Sequence, residues 1–290
     1  MLALIYKRLR YRDFKILHVI ETGMKKFEYV PVEYIEKNSK LKPNEVTSAL
    51  LKLNGLKLIK RWRGAYLGYL LTWRGYDCLA IKSLVDRNAL SALGPKIGVG
   101  KESDVYEGLA PNGERVTVKI HRVGRISFRQ TARVRTYLEG KEYRSWVEQS
   151  MIAAQREFVA LNELYKVKAN VPKPLGRSRH VVVTSYIDGV LLLKYREAKD
   201  PVKLLEGILE TIRKAYVEVG IVHGDLSEYN VMVELESEKP YIIDWPQYVY
   251  KEHPSAEELL KRDIKYIVNF FKRKYRIVYK FEDALSYIKR

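Results

Sequence analysis

Cysteine is almost absent from this chain: Cys78 is the single one in 290 residues. That excludes a disulfide framework and any cysteine-based zinc site, and it fits a reducing compartment, the cytoplasm. Long apolar runs are missing too. None approaches the ~20 residues a membrane helix needs, and Met1 to Tyr6 is too short for the apolar region of a secretory signal. No membrane association is expected. Acidic residues are in deficit, 35 against 53 Lys plus Arg, for a net charge of +18 and a pI near 9.7. A charge so far from zero points to a polyanionic partner, nucleic acid first; the other reading is a surface merely solvated by Lys and Arg.

What is present is enough sequence for two domains, each able to bury a core. Positive charge is densest at the start, with 18 Lys plus Arg against 8 Asp plus Glu in residues 1–90. The periodicity there predicts a helix from Tyr11 to Thr22 closed by Gly23, a second over Val32 to Asn38, and a third opened by Lys42-Pro43-Asn44-Glu45 and stopped at Asn54-Gly55. Two strands follow, Leu58 to Trp62 and Tyr66 to Leu71, and Thr72 caps a last helix through Leu84. Three helices, a hairpin and a closing helix describe a winged helix-turn-helix over residues 1–84, with 85–92 as linker. In that fold the third helix enters a groove and the wing touches backbone. Lys52, Lys57, Lys60, Arg61 and Arg63 are the nucleic-acid candidates, with Trp62 available to stack; a winged helix used for protein contacts is the alternative.

The chemistry sits downstream. Ile221 to Asp244 contains His223-Gly-Asp225-Leu-Ser-Glu-Tyr-Asn230, then two short apolar runs, Val231 to Val233 and Tyr241 to Ile243, around a polar segment. This reads as a β-hairpin with polar groups at its ends. Closing it brings Asn230 and Asp244 side by side with Asp225 one loop away, a set of hard oxygen donors suited to Mg²⁺ or Mn²⁺ with phosphates completing the shell. Upstream, Ile97-Gly98-Val99-Gly100-Lys101-Glu102-Ser103-Asp104-Val105 reads as strand, glycine turn and return strand, so that backbone can approach phosphates and Lys101 and Ser103 reach their oxygens. It is not G-x-x-x-x-G-K-[ST], and Ser103 stands where a third glycine is usual. After the Asn112-Gly113 turn signal, Lys119 lies inside a strand, and from Ala153 a helix carries Ala154, Phe158, Leu161 and Tyr165 on one face, with Glu157 beside it. His180 to Gly189 is a buried strand running into a turn, with Ser185 to Ile187 offering backbone groups to a base. A long helix over Leu204 to Gly220 precedes the His223 loop, and the tail is read as helices over Ser255 to Tyr275 and near Glu282. Between these, Arg122, Arg125, Arg129, Arg133 and Arg135 occur with no acid among them. The stretch is read as a flexible basic loop that meets phosphate or RNA, with Ser127 as a phosphorylation candidate.

These motifs match the catalytic loop, phosphate-binding lysine and metal-binding aspartate of protein-kinase-like folds. No A-P-E motif follows Asp244, and Trp245-Pro246 replaces the Phe-Gly that lets that segment swing. Gly98-x-Gly100-Lys-Glu-Ser103-Asp-Val, Val118-Lys119, the arginine-rich insertion, the His223 to Asn230 loop and Ile243-Asp244-Trp-Pro-Gln together resemble the RIO family of atypical serine kinases, in the subfamily with an N-terminal winged helix, across essentially the whole chain. Thr184-Ser185 departs from the Met-Glu usual there, Trp245 stands for the commoner Phe, and the lack of a long tail resembles archaeal members. The implied fold class is α+β: a winged helix-turn-helix followed by a minimal two-lobed kinase-like (RIO) fold over 93–290, N-lobe to about 184 and C-lobe from about 188.

The resemblance implies an ATP-dependent factor that autophosphorylates on serine, hydrolyses ATP through a phospho-aspartate (here Asp244), and acts in maturation of the small ribosomal subunit. Its partners are then ribosomal RNA and the precursor particle, and no obligate protein partner is readable. ATP and Mg²⁺ or Mn²⁺ are the implied cofactors. Asp225 is then catalytic; Asn230 and Asp244 hold metal; Ile97, Gly98, Gly100, Lys101, Glu102, Ser103, Val105, Lys119, Glu157, Ser185 and Ile187 serve the nucleotide. Ser227 replaces the lysine that typical protein kinases carry two residues past the catalytic aspartate, which implies slow turnover. Two rivals remain: a small-molecule phosphotransferase of the aminoglycoside or choline kinase type, and a catalytically weak RNA-binding scaffold.

Overall fold

A computed structural model of the chain describes residues 2–124 and 139–290, with side chains described up to 124 and from 146. Arg125, Ser127, Arg129, Arg133 and Arg135 lie outside the described residues. Among those described, two compact units are distinguished: one within residues 2–114, 118–151 and 177–181, the other within 115–117, 152–176 and 182–290. A five-stranded sheet runs β4-β5-β6-β8-β7 (β4 Ala92–Val99, β5 Ser103–Leu109, β6 Arg115–His121, β7 Pro174–Ser178, β8 Val181–Ser185), and its strands are divided between the units.

The first unit begins with the winged helix. Helix α1 (Leu2–Lys7), which the sequence pattern did not announce, precedes α2 (Tyr11–Gly23), α3 (Val32–Ser39), α4 (Pro43–Gly55) and α5 (Trp73–Asp86). A sheet of order β1-β3-β2 (β1 Val30–Pro31, β2 Ile59–Arg63, β3 Leu67–Leu71) forms the wing. Ile16, Leu17, Ile20, Ile35, Val46, Ala49 and Leu53 are buried at helical spacing and meet across the three-helix core. Asp13 accepts the Arg10 amide at 2.8 Å at the start of α2 and the Lys52 ammonium at 2.5 Å, while fully buried itself. Thr72 caps α5 by accepting the Gly75 amide at 3.3 Å. The expected linker, 85–92, falls on the end of α5, a turn at Arg87-Asn88 and the first residue of β4.

Two of the nucleic-acid expectations change here. Lys52, half-buried, pairs with the buried Asp13, because α4 packs its Lys52 side against α2. Trp62 stacks on Tyr29 (5.4 Å, 18°) and meets Tyr66 edge-on at 5.0 Å, so the indole is spent inside the wing. Lys57, Lys60, Arg61 and Arg63 remain exposed.

Arg122, expected as part of the basic loop, is corrected: it directly follows β6 as a half-buried anchor. Its guanidinium forks onto Asp77 of α5 at 2.7 and 2.8 Å and reaches Asp104 of β5 at 3.3 Å. His180 contacts Asp77 at 2.8 Å and Arg122 at 3.1 Å, and Lys96 holds the other Asp104 oxygen at 2.9 Å. Burial alone would raise the Asp77 carboxyl; Arg122 beside it, with bonds from His180 and Arg122, outweighs that and holds it at about 2. Burial lowers His180 despite Asp77, keeping the imidazole neutral, with Nδ1 buried and unpartnered among the described residues. The ring proton therefore sits on Nε2, which donates to Asp77 Oδ1, since the reverse tautomer strands a buried donor. Arg179 forks onto Glu21 of α2 at 2.5 and 2.7 Å.

The second unit contains the latter part of α6 (Glu139–Lys166), β9 (Gly189–Leu191), α7 (Pro201–Arg213), α8 (Ala256–Tyr275) and α9 (Phe281–Lys289). Its core joins Leu204, Leu205, Ile208 and Leu209 of α7 to Ile264, Ile267 and Phe271 of α8 and Ala284 and Ile288 of α9. The single helix expected over Leu204 to Gly220 instead starts at Pro201, capped by Asp200 accepting the Lys203 amide at 3.0 Å, and ends in a π-helical stretch, Lys214–Val219. On α6 the buried stripe is Ala154, Glu157, Leu161 and Leu164, at i, i+3, i+7 and i+10; Tyr165, expected on it, is 44% exposed. Among the described residues no helix is long and apolar enough to cross a membrane.

Replacing Asp77 by Ala leaves the half-buried Arg122 with only its longer bond to Asp104, so a loss of ~3 kcal/mol, the low end for a broken buried pair, is expected, read from the urea midpoint. For the milder Asp77→Asn the sign with pH is fixed by the depressed carboxyl. Its stabilisation, as the wild-type-minus-variant difference, is full above the ordinary value of ~3.9 and disappears as pH falls towards about 2.

Candidate functional site

In the second unit, two short ladders clasp two loops. Strand β10 (Ile221–Val222) leads into the loop 223–230 and then β11 (Val231–Glu234); β12 (Pro240–Ile242) leads into 243–248 and then β13 (Val249–Tyr250). Because β11 pairs with β12 and β10 with β13, both antiparallel, the loops run side by side. The apolar alternation of Val231 and Val233, opposite Ile242 and Pro240, fixes the register. Val231 faces Ile242, so Asn230 faces Ile243, whose amide donates to the Asn230 carbonyl at 2.9 Å. Asp244 is the next residue. The expected meeting of Asn230 and Asp244 is thus offset by one position, with Asp225 in the neighbouring loop.

The loop is held by buried polar groups. His223 Nε2 donates to the Ile243 carbonyl at 3.1 Å, and the Asp225 amide donates to His223 Nδ1 at 3.3 Å. Trp245 packs on His223 at 4.5 Å and donates its indole N–H to the Ile242 carbonyl at 3.1 Å. Asp263 on α8, buried among apolar side chains, accepts the Gly224 amide at 2.8 Å and the Leu226 amide at 3.2 Å, one on each side of Asp225. Burial raises its carboxyl; His223, the two amides and Arg262 pull the other way without cancelling the rise. Gly224 has φ +79, and a Cβ there would lie 3.0 Å from the Gln247 carbonyl, so the turn excludes a side chain. Arg262 also donates to the Gly224 carbonyl.

The result presents Asp225 exposed, and Asn230 and Asp244 half-buried. Asn230 donates its Nδ2 to the Asp225 carbonyl at 2.7 Å, which leaves the carboxamide oxygen as its ligating end. Asp244 has φ +66, a left-handed conformation that few residues besides Gly, Asn and Asp adopt. One carboxamide oxygen and carboxylates fit a hard divalent cation. No cluster of three or more His, Cys, Asp or Glu side chains suited to a metal occurs among the described residues.

Three residues escaped the sequence reading. Asp263 lies outside any motif and is visible only as an acid on the buried stripe of an amphipathic helix. Arg262 carries no signal at all. Arg156 on α6 donates to the carbonyls of Pro246, at 2.8 Å, and Tyr248, with its guanidinium 4.4 Å over the Tyr248 ring. It fastens α6, one residue before the buried Glu157, to the segment after Asp244.

The turn after β8 is partly spent. The Ser185 amide donates to the Lys173 carbonyl at 2.8 Å, its hydroxyl accepts the Lys173 amide at 2.9 Å, and the Tyr186 amide donates to Arg115 at 3.3 Å. Ile187, buried, has an amide with no intrachain backbone partner among the described residues. Of the two residues expected to meet a base, Ile187 retains the donor.

In the first unit, β4 and β5 pair antiparallel with Gly98 opposite Val105 and Val99 opposite Asp104. The Gly100 amide closes the turn on the Ser103 carbonyl at 2.8 Å, and the Glu102 carbonyl accepts the Arg122 amide at 2.6 Å. Neither glycine has positive φ, and a Cβ on Gly98 would meet only Val105 at 3.6 Å, so the fold itself does not demand glycine there. Ile97, Lys101 and Glu102 are exposed, Ser103 and Val105 half-buried. On β6, Val116, Val118 and Ile120 are buried and Lys119 points the other way, half-buried.

Comparison with known proteins follows this geometry. Residues 104–284 match the family model described as RIO domain, and residues 6–87 the one described as Rio2, N-terminal. The chain is 40% identical over 259 residues to the RIO-type serine/threonine-protein kinase Rio2 of Methanocaldococcus jannaschii, covering 88% of this chain and 93% of that one. It is 37% identical over 280 residues to the serine/threonine-protein kinase rio2 of Schizosaccharomyces pombe, 95% of this chain and 81% of the relative. The crystal structure of the Rio2 kinase-ADP/Mg²⁺-phosphoaspartate complex from Chaetomium thermophilum superposes with a TM-score of 0.85 at 33% identity, over 98% of this chain and 88% of that one.

Asp263→Ala is expected to release both amides it holds. Charged hydrogen bonds of this kind contribute ~1.5–3 kcal/mol each, so exchange at Gly224 and Leu226 should accelerate at least tenfold by hydrogen–deuterium exchange, with α8 protection retained. Unchanged exchange would mean the carboxylate does not hold the loop.

Proposed function

The chain belongs to the RIO family of serine/threonine kinases, in the branch that carries the Rio2 N-terminal domain, and on that premise we propose an ATP-dependent kinase and ATPase that acts in maturation of the small ribosomal subunit. The observation that carries the reading is the clasp in the second unit. Asn230, bonded through its amide to the Asp225 carbonyl, lies across from Ile243 and so next to Asp244. Asn230 and Asp244 would hold Mg²⁺ or Mn²⁺, which once bound neutralises charge on the transferring phosphoryl group. The Gly98 to Ser103 turn, with Lys101 and Lys119, is assigned to the phosphates, and Ile187 to the base. Glu157, 4% exposed, has the burial expected of the carboxylate that orients a phosphate-binding lysine.

Asp225 receives the acceptor hydroxyl, orients it and takes its proton late. Its backbone is fixed at both ends, by His223 on its amide and Asn230 on its carbonyl, so the chain orders the group before substrate arrives. Ser227, in the place of a second lysine, removes one cation from the γ-phosphate, and slow turnover follows. The Chaetomium thermophilum complex is described as a phosphoaspartate. We assign that acceptor here to Asp244: its carboxylate oxygen takes the γ-phosphoryl as the bond to ADP breaks, and water then cleaves the acyl phosphate to free inorganic phosphate. Serine autophosphorylation is assigned to Ser127.

The net charge of +18 and the exposed Lys57, Lys60, Arg61 and Arg63 support ribosomal RNA as partner, within a precursor particle. With one buried cysteine and no membrane-length helix among the described residues, we place the protein in the cytoplasm.

Label transfer from γ-labelled ATP tests the assignments. D225A is expected to lose at least ~10²-fold in transfer while retaining ATP binding, and D244A to lose both the base-labile label and the divalent-ion dependence of binding. Acid-stable label that vanishes in S127A marks the serine route. A D225A protein that turns over normally would refute the mechanism.

A further inference from the structure

Residues 265–280 carry six Lys plus Arg and no Asp or Glu, and no role assigned above uses them. They cover the second half of α8 and the chain that follows it. A basic run interleaved with tyrosine is a nucleic-acid signature. The bland explanation is the negative end of the helix dipole. That end amounts to about half a charge, yet Lys272, Arg273 and Lys274 all fall in the last turn.

Lys274 has a separate use. Its ammonium reaches the carbonyls of Leu192 and Leu193 at 2.8 and 2.7 Å, and the Tyr275 hydroxyl donates to the Tyr195 carbonyl at 2.7 Å. These bonds fasten the loop after β9 to the carboxyl end of α8, bringing Lys194 and Arg196 alongside Lys272, Arg273 and Arg276. Burial and the nearby Arg196 lower the Lys274 ammonium, while Glu228 pulls the other way without cancelling the fall. Lys194, Arg196, Lys272, Arg273 and Arg276 are exposed, and no ion pair closes on any of them among the described residues. With Lys199 and Lys274 counted, seven cations stand against the carboxylates of Glu197, Asp200, Glu228 and Glu238, so a surplus of three survives full compensation.

On α8 the exposed positions Tyr266, Asn269, Lys272 and Arg273 follow one another turn by turn along a single stripe. Tyr266 is 52% exposed and lies two turns, roughly 10 Å, before Arg273. The stripe therefore offers a free ring followed by a bank of cations.

We propose that this stripe, with the loop after β9, binds single-stranded RNA, its phosphates along the cations and a base on Tyr266. The proposal rests on the RNA reading above and adds to it a second surface, on the second unit. An unbroken file of phosphates suits a bank of cations. The exposed ring selects an unpaired base, because bases within a duplex keep their faces on one another.

The test titrates the full-length protein, with ADP and Mg²⁺ saturating, into a fluorescein-labelled oligouridylate and reads anisotropy across a salt series. Each phosphate neutralised on a single strand contributes ~0.7 to the slope of log affinity against log salt. The triple variant Lys272→Gln, Arg273→Gln, Arg276→Gln is therefore expected to flatten that slope by about 2. Tyr266→Ala is expected to weaken binding at least ~fivefold with the slope unchanged. Wild-type ADP binding and urea midpoint show that each variant is folded. A wing variant, with Lys57, Lys60, Arg61 and Arg63 all changed to Gln, runs in parallel. Wild-type affinity and slope in the triple variant, with binding lost in the wing variant, overturn the proposal and leave the RNA reading standing. No binding by the wild type sinks both. A flattened slope in the triple variant supports the proposal whatever the wing variant does. Wild-type affinity in Tyr266→Ala overturns the single-stranded assignment. A labelled oligoglutamate that binds as tightly, and loses as much in the triple variant, overturns RNA in favour of an acidic protein.

Discussion

A guanidinium taken out of water must be met on every side, and Arg122 is met by three elements of the first unit at once. Its fork on Asp77 reaches α5, its Nε reaches Asp104 on β5, and its own amide closes on the Glu102 carbonyl in the glycine turn. Buried ion pairs of this type add little net stability over apolar packing, but they punish any other arrangement, because a partner lost leaves a bare charge behind. The pair therefore acts as a registration mark. The winged helix, the end of β6 and the glycine turn can each shift only by stranding a charge in a medium that does not tolerate it. His180, kept neutral by the same burial, completes the set.

The second unit solves a similar problem with backbone amides. Asp263 takes the Gly224 and Leu226 amides, His223 takes the Asp225 amide, and Asn230 takes the Asp225 carbonyl. The exposed Asp225 carboxylate thus sits on a stretch of chain whose backbone is held on both sides. Phosphoryl transfer asks little covalent chemistry of the protein and much positioning, so this is where the structure concentrates its buried polar contacts. Trp245, Arg156 and the β10–β13 ladder extend the restraint to the segment after Asp244. That segment is pinned rather than free to swing, as its Trp-Pro composition implied.

Much of this was legible from residue order. Periodicity placed α2 to α5 to within two residues of their ends, and local grammar (Asn112-Gly113, Thr72, Gly23) placed the turns and caps. The motif residues Asp225, Asn230 and Asp244 came out on neighbouring loops because alternation in Val231 to Val233 fixes one register only. What stayed hidden was decided by tertiary partners. Lys52 looks like a surface cation until Asp13 appears beneath it, and Trp62 looks free until Tyr29 stacks on it. The α6 stripe was drawn through Phe158 and Tyr165, because an apolar letter outranks an acid; the structure buries Glu157 and Leu164 instead. Asp263 has no motif around it, and the π-helical turn before Gly220 reads in sequence as ordinary helix.

The left-handed backbone at Asp244 bears on how such a site is lost in evolution. Most side chains would strain that position, so most substitutions there threaten the turn as well as the chemistry. Asparagine is the exception, being the residue after glycine that best tolerates this conformation. It is also one base change from the aspartate codons. On the role proposed above for Asp244, a lineage can therefore fall silent at this position while keeping its turn and its clasp intact, so that descendants with a folded but inert site are a short mutational step away.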